Sequence, residues 1–298
     1  MEKNTINGRN YSIKANSLSD ELTLSLSENY LFDLSHVGII NVEGLMAADF
    51  LQGQLSCDIR AINEHTMRQG AQCNLKGRVL ALLDTIYWDR HYQLLLPKDL
   101  IDSTLLSLSK MALVSRITLT SSHDDVIYAI HAPRPFALPH SLTLPTTRHC
   151  ATNNEVAYCY ALGTDDYILI VKSEAAADYI LAAQNNCQSR GALGWHHLQL
   201  SSLNMQIYPQ TRGLYLPQRL GLEESGHINF EKGCYKGQEI IARMHYRGTI
   251  KHALQSIILP TETTEPPFDT ALITHLDEII DYCPHNNLEH LIVASVHL

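Results

Sequence analysis

The stretch Lys232–Arg247, KGCYKGQEIIARMHYR, decides the reading of this chain, because it gathers two glycines, a lone cysteine and several cations in one short segment. Gly233 and Gly237 offer backbone freedom for a tight turn or for close approach to a ligand. Gln238 to Met244 has the spacing of a short helix with Ile240 and Ile241 turned inward. If that helix begins near Tyr235, its free N–H groups point toward Cys234. Lys232, Lys236 and Arg243 add positive charge beside the thiol. Both effects favour thiolate and lower a free-thiol pKa of about 8.5. The plain alternative is an inert buried cysteine, the usual fate of a lone one.

Working outward, Leu31–Val42 (LFDLSHVGIINV) reads as one buried strand closed by Glu43-Gly44, and Leu45–Leu55 as a short helix interrupted or ended by Gly53. Val79–Trp88 is an apolar run ending in a turn at Asp89-Arg90, with Tyr92–Leu96 as its hairpin partner and Pro97 as the stop. Lys98–Leu113 has helical spacing. Val156–Ala161 and Tyr167–Val171 form a second hairpin pattern, followed by a helix over Ser173–Cys187 that Ser173 is placed to cap. Helices that follow hairpins predict antiparallel α+β layers rather than a parallel nucleotide-binding sheet. Neither the G-x-G-x-x-G nor the P-loop pattern occurs. A boundary falls near Leu259–Phe268, where three prolines cluster. The tail beyond it holds one candidate strand pair, Ala271–Ile273 with Leu291–Val296. It is too short for a core of its own, so it must pack on the rest.

Bulk properties exclude several classes. The chain has 298 residues, room for two or three compact domains, and its 45% hydrophobic and 18% charged content is that of a globular protein rather than a disordered one. A net charge of −9 argues against coating nucleic acid, so no direct, stable nucleic-acid binding is expected. The polar start, with no apolar h-region, and the lack of any long apolar run predict a cytoplasmic protein without membrane association. Seven cysteines with no C-x-x-C pair fit neither a disulfide framework nor a structural zinc site. His149-Cys150 and His196-His197 are the best remaining metal candidates, and each reads better as an ordinary core or surface pair.

KGCYKGQEIIAR, followed by Arg247-Gly248 and Lys251, is similar to the K-G-C-[YF]-x-G-Q-E-x-x-[AS]-R signature of the YgfZ branch of the glycine-cleavage T-protein family. Asp33–Gly38 (DLSHVG), Phe50–Asp58 (FLQGQLSCD) and Ala71–Arg78 (AQCNLKGR) resemble other family stretches, in the family's order, as do Trp195 and Leu216-Pro217-Gln218. The resemblance covers roughly residues 31 to 254. It implies an interleaved ring of domains with antiparallel sheets around a central hole holding tetrahydrofolate or another reduced folate. On that reading residues 1–254 form the folate-binding core, as two discontinuous sub-domains, and residues 255–298 a shortened C-terminal β region. It further implies Cys234 as the functional residue, with Lys232, Gly233, Tyr235, Gly237, Gln238, Glu239 and Arg243 as folate-binding candidates. Lys232 and Arg243 would supply the cations that an anionic glutamate tail needs. No metal site is implied.

The pattern breaks in one place that bears on chemistry. Aminomethyl-transferring members carry an acidic pair in a G-G-I-x-D-D stretch, whereas Gly77–Leu82 here is GRVLAL, and the next acid is Asp84. Asp84 would need the right face and depth of its strand to substitute. The chain therefore does not read as a typical aminomethyltransferase. Three functions fit the pattern. The best is a folate-binding accessory protein that supports iron–sulfur client enzymes transiently, including tRNA-thiomethylating ones, through Cys234. The others are a folate-dependent one-carbon transferase and a non-catalytic scaffold.

Overall fold

The computed structural model describes residues 2–122, 124–248, 252–261 and 278–297. Two large sheets dominate, and the chain interleaves them. It enters a six-stranded sheet at Tyr30–Asp33, leaves to build an entire five-stranded sheet between residues 37 and 122, then returns at Asp125–His131. The five-stranded sheet runs in the order Arg68–Cys73, Val79–Trp88, His91–Pro97, Val37–Glu43, Thr118–Ser122. The six-stranded sheet runs Ala151–Asn153, Ala157–Ala161, Asp166–Lys172, Asp125–His131, Tyr30–Asp33, Gln188–Arg190. All pairings among the described residues are antiparallel except that of Gln188–Arg190 with Tyr30–Phe32.

The switch between sheets corrects the single strand expected over Leu31–Val42. Asp33 Oδ1 accepts the Ser35 N–H at 2.9 Å, and Val37 N–H bonds back to the Leu34 carbonyl at 2.8 Å, so the chain turns at Ser35. A side-chain oxygen that captures a backbone N–H two residues on offers the chain an alternative to the ladder. The Val79–Pro97 hairpin forms as expected, with Asp89 and Arg90 both at positive φ (54° and 69°), the pattern of a type I′ turn. The Ser173 cap does not form. Its hydroxyl donates to the Asp124 carbonyl, a tight turn covers Ser173–Ala175, and the helix spans Ala176–Gln184.

Helix Ala192–Ser201 has no exposed face over residues 192–200. Its N-terminus is held by buried Glu21, whose Oε1 accepts the N–H groups of Gly191 (2.5 Å) and Gly194 (3.2 Å) while Oε2 accepts those of Lys14 and Ala15 (both 2.9 Å). Four charge-assisted bonds satisfy the carboxylate and fill helix-start donors that otherwise lack partners. A Cβ at Gly191 would sit 2.0 Å from the Ser12 carbonyl oxygen, so only glycine fits that joint.

The C-terminal residues pack on this helix, as their length requires. Glu289–His297 lies between His252–Pro260 and Glu278–Pro284 in a three-stranded sheet, so the first strand runs across residue 254. Leu291–Val296 falls in that sheet, whereas Ala271–Ile273 lies outside the described residues. Asp281, fully buried, accepts the Tyr208 hydroxyl (2.8 Å) and the N–H groups of Gln206 and Tyr282 (2.8 Å each). His196 Nε2 meets the Tyr282 carbonyl at 3.1 Å, and His197 Nε2 meets His285 Nδ1 at 3.0 Å. These histidines thus serve the interior. Among the described residues no group of three or more His, Cys, Asp or Glu is placed to hold a metal ion, and no helix is long and apolar enough to cross a membrane.

Candidate functional site

Three segments far apart in the sequence meet around Cys234. The first is helix Ala47–Gln54 with the turn after it, the second the Asn74–Arg78 turn, the third Phe230–Arg247. The third segment is laid along the first by backbone bonds: Asn229 N–H to the Ser56 carbonyl and Lys236 N–H to the Gly53 carbonyl, both 3.0 Å. Lys232 fixes it further. Its buried ammonium donates to the carbonyls of Gln52 (2.8 Å), Leu55 (2.6 Å) and Cys57 (2.7 Å) and lies 5.1 Å from the centre of the Tyr235 ring. Burial lowers its pKa to about 8, and the three carbonyls favour the charged form. All three ammonium donors are used within the fold. In this fold Lys232 is therefore a clamp, its ammonium turned to backbone carbonyls.

Gly237 and Gly77 make the joint to the second segment. Gly237 has φ 87°, and a Cβ there would lie 2.4 Å from the Asn74 carbonyl oxygen and 3.1 Å from the Gly77 Cα. Gly77, at φ 71°, would in turn meet Ile240 and Ile241 side chains at 3.1 Å. Glycine is required at both for conformation and for space. Gly233 differs, since a Cβ there would touch nothing within 4 Å. The helix begins at Gln238, later than the start near Tyr235 that would aim its N–H groups at Cys234. Ile241 is buried and Ile240 partly so. Glu239 and Arg243 pair with each other at 3.2 Å on the exposed face. Tyr235 is buried, and Gln238 is half-buried.

The loop leaves the Cys234 side chain exposed, alone among the seven cysteines. Cys150 is half-buried and the other five are buried. Burial pushes the Cys57 thiol up to about 11, Cys73 and Cys187 to about 12, and Cys159 and Cys283 higher still.

A second feature lies between the sheets, where a cavity of about 140 Å³ opens. Leu82 to Asp84, Leu95 to Pro97, Ile127, Tyr160 and Ile168 line it from the two large sheets, and Trp195 and Gln199 from helix Ala192–Ser201. His36, His227 and the Leu203–Gln206 loop complete it. None of the residues from Lys232 to Arg243 lines it. Asp84 stands on its wall, half-buried, with Oδ2 accepting the Tyr160 hydroxyl at 2.6 Å and Oδ1 accepting the Gln69 amide at 3.2 Å. Burial raises its pKa, and those two bonds oppose the rise. Burial lowers His36 to about 3 and His227 to about 4, so both are neutral, and His36 Nδ1 has no hydrogen-bond partner. The sequence did carry a signal for Asp84, a single acid in step with Leu80 and Leu82 on one face of an apolar strand.

These observations can be set beside known proteins. The fold is that of the glycine-cleavage T-proteins: the glycine cleavage system aminomethyltransferase T from Bartonella henselae superimposes with a TM-score of 0.69 at 13% identity, over 99% of this chain and 86% of that one. This is the expected α+β, T-protein-like arrangement of antiparallel sheets around a central cavity. No family model matches the sequence. Among curated proteins, the tRNA-modifying protein YgfZ of Colwellia psychrerythraea is 31% identical over 240 residues, 77% of this chain and 71% of that protein. The YgfZ of Yersinia pseudotuberculosis is 27% identical over 228 residues, 75% of this chain and 69% of that protein. The chain belongs to the YgfZ family.

Proposed function

We propose that this protein binds a reduced folate in its central cavity and supports iron–sulfur enzymes that modify tRNA, acting through Cys234 in the cytoplasm. The observation that carries the reading is the contrast among the cysteines. Five are buried and one half-buried, while Cys234 is held out to solvent by a loop clamped through Lys232 and Gly237. A fold that fixes a loop so firmly and still exposes its thiol displays that thiol to a partner. The name of the curated relatives, tRNA-modifying protein, supports tRNA modification as the process served. The fold shared with an aminomethyltransferase of the glycine cleavage system supports a folate as ligand.

The cavity fits one end of such a ligand. At about 140 Å³ it is of the size that admits a single aromatic ring, so the pyrimidine ring of a pterin would enter and the rest of the folate would lie toward the mouth. Leu82, Leu95 and Trp195 supply apolar walls, and Asp84 and Tyr160 convergent polar groups. When bound, a reduced folate supplies a one-carbon carrier. The chain's part is to orient the ring and exclude water from it. Tetrahydrofolate is expected to bind with a Kd of about 1 µM, and calorimetry without heat at millimolar ligand would remove folate from the account.

The decisive test of the whole reading is a strain lacking the protein, scored for thiomethylated tRNA by mass spectrometry. The wild-type chain should restore the modification and Cys234→Ala should not, while the variant still folds and binds tetrahydrofolate. Full restoration by Cys234→Ala would leave the scaffold reading. A one-carbon transferase is favoured by a single observation, the carboxylate of Asp84 on the cavity wall. Apolar Leu80, Ala81 and Leu82 stand where its acidic pair would be, so no glycine-cleavage aminomethyl transfer is expected. Methylene-tetrahydrofolate formed above about 1 s⁻¹ in a complete assay would reverse that.

A further inference from the structure

We propose that a second copy of this chain pairs along the free edge of the five-stranded sheet, antiparallel through Thr118–Ser122, so that the two sheets become one. The inference is independent of the folate reading. Among the described residues Thr118–Ser122 pairs only with Val37–Glu43, and its other edge is open. The opposite edge of the same sheet is closed, since Leu55 bridges Gln72 and the Ser56 N–H bonds to the Ala71 carbonyl at 3.0 Å. Proteins usually blunt an open edge with charge, proline or a bulge. Ile117–Ser122, ITLTSS, has neither charge nor proline, and it pairs with its neighbour in an unbroken register.

What lies beside the edge fits a second copy. Helix Ile101–Val114 packs on both Val37–Glu43 and Thr118–Ser122. Leu105, Leu106 and Leu113 on its flank form an apolar groove with Ile117 and Leu119, and Leu106 and Leu113 are 78% and 81% exposed. Strands in a sheet stand about 4.8 Å apart. A helix seated over the last two strands thus lies about 4.8 Å from a two-fold axis through the new strand pair. Its symmetry mate runs about 9.6 Å away, within the roughly 8–10 Å at which helices pack. An axis perpendicular to the sheet puts both helices on one face, so the leucines of each copy cover the groove of the other.

Charge agrees with that symmetry. An antiparallel register centred on Thr120 sets Thr118 opposite Ser122 of the second copy, and Arg116 opposite its Asp124. Both charged residues are exposed, and neither has an ion-pair partner among the described residues of its own copy. Opposite charges that face each other across strands stabilise the pairing, and like charges oppose it. The Cys234 loop rests on Gly53 and on the Asn74–Arg78 turn, which joins the two strands at the far edge, so pairing leaves both thiols open.

Sedimentation velocity of the full chain from about 1 to 100 µM tests the inference, and the wild type should pass from monomer to dimer within that range. Leu106→Lys together with Leu113→Lys should weaken the dimer at least about tenfold. Arg116→Asp should weaken it about threefold by facing Asp124 with a like charge, and adding Asp124→Arg should restore the wild-type constant. A wild type that stays monomeric at about 100 µM overturns the inference and leaves the edge to an extended strand of a different protein. A dimer indifferent to the leucine substitutions, or not rescued by the reciprocal charges, is built elsewhere and overturns it as well. The wild-type series requires no variant, so the inference can be overturned even if a substituted chain does not fold.

Discussion

The loop that carries Cys234 and the wall that carries Asp84 are made of opposite materials. Around the loop the fixed parts are backbone, three carbonyls on one ammonium and two glycines against each other, and a thiol is left in water. On the wall the backbone belongs to a regular sheet, and the polar side chain is drawn out of water and held by two others. Under the proposed function, a thiol that meets a large partner gains from exposure. A carboxylate on the wall of a ligand cavity gains from desolvation, which strengthens each hydrogen bond it makes.

The comparison breaks first at Lys232. Lys232→Met keeps an apolar stem but strips three carbonyls of their donor, and a buried group left unpaired costs about 1–3 kcal/mol. We expect a loss of about 3–5 kcal/mol in denaturant unfolding, together with failure to complement. A loss below about 1 kcal/mol would mean that water replaces the ammonium and that the loop needs no clamp.

Acid should strike the wall and the interior rather than the loop. His227 and His197 are buried and neutral, with folded pKa values of about 4 against 6.5 for the free side chain. Between those values the unfolded chain binds protons that the folded chain refuses. Stability is then full above pH 6.5 and falls as the pH drops toward 4. Their combined contribution is on the order of a few kcal/mol. Midpoints in urea at pH 7 and pH 5 measure it, and His227→Gln should flatten the dependence. A midpoint that does not move would show that these rings are charged in the fold.

Alkylation separates the two regions without mutation. Thiolate fraction and access both govern the rate. Cys234 should label fastest of the seven, by at least about tenfold over any buried cysteine. Peptide mapping ranks all seven at once. A slow Cys234 would contradict its exposure. The smallest expected effect is at the helix surface. Arg243→Ala removes an exposed pair with Glu239 and should change stability by less than about 0.5 kcal/mol. A tenfold loss of folate affinity in that variant would make Arg243 a ligand cation.

How far the sequence led depends on how local each signal is. The Val79–Pro97 hairpin was legible because apolar runs, a turn and a stopping proline lie within one short stretch. Leu31–Val42 misled because its composition is continuous while its course is not, and the turn depends on the small side chain of Asp33. Helix Ala192–Ser201 gave no periodic signal, since His196, His197 and Gln199 are polar yet buried beside Trp195 and Leu198. The motif block was visible as a unit, and Cys234 with it. The task of Lys232 was not, because its three acceptors lie on a distant segment and are backbone atoms common to every residue. The cavity was hidden for the same reason, with Asp84, Tyr160, Trp195 and His227 drawn from four separate stretches.

The glycine pair has a mechanical meaning. Side chains act as buffers: they rotate, and a small displacement on one side of a packed contact is absorbed before it reaches the other. Between Gly77 and Gly237 there is no such buffer, because main chain rests directly on main chain. Gly77 stands at the root of the strand that bears Asp84, and Gly237 at the foot of the loop that bears Cys234. Under the proposed function, a partner drawing on the thiol and a ring seated against the cavity wall would load this one main-chain contact from its two sides.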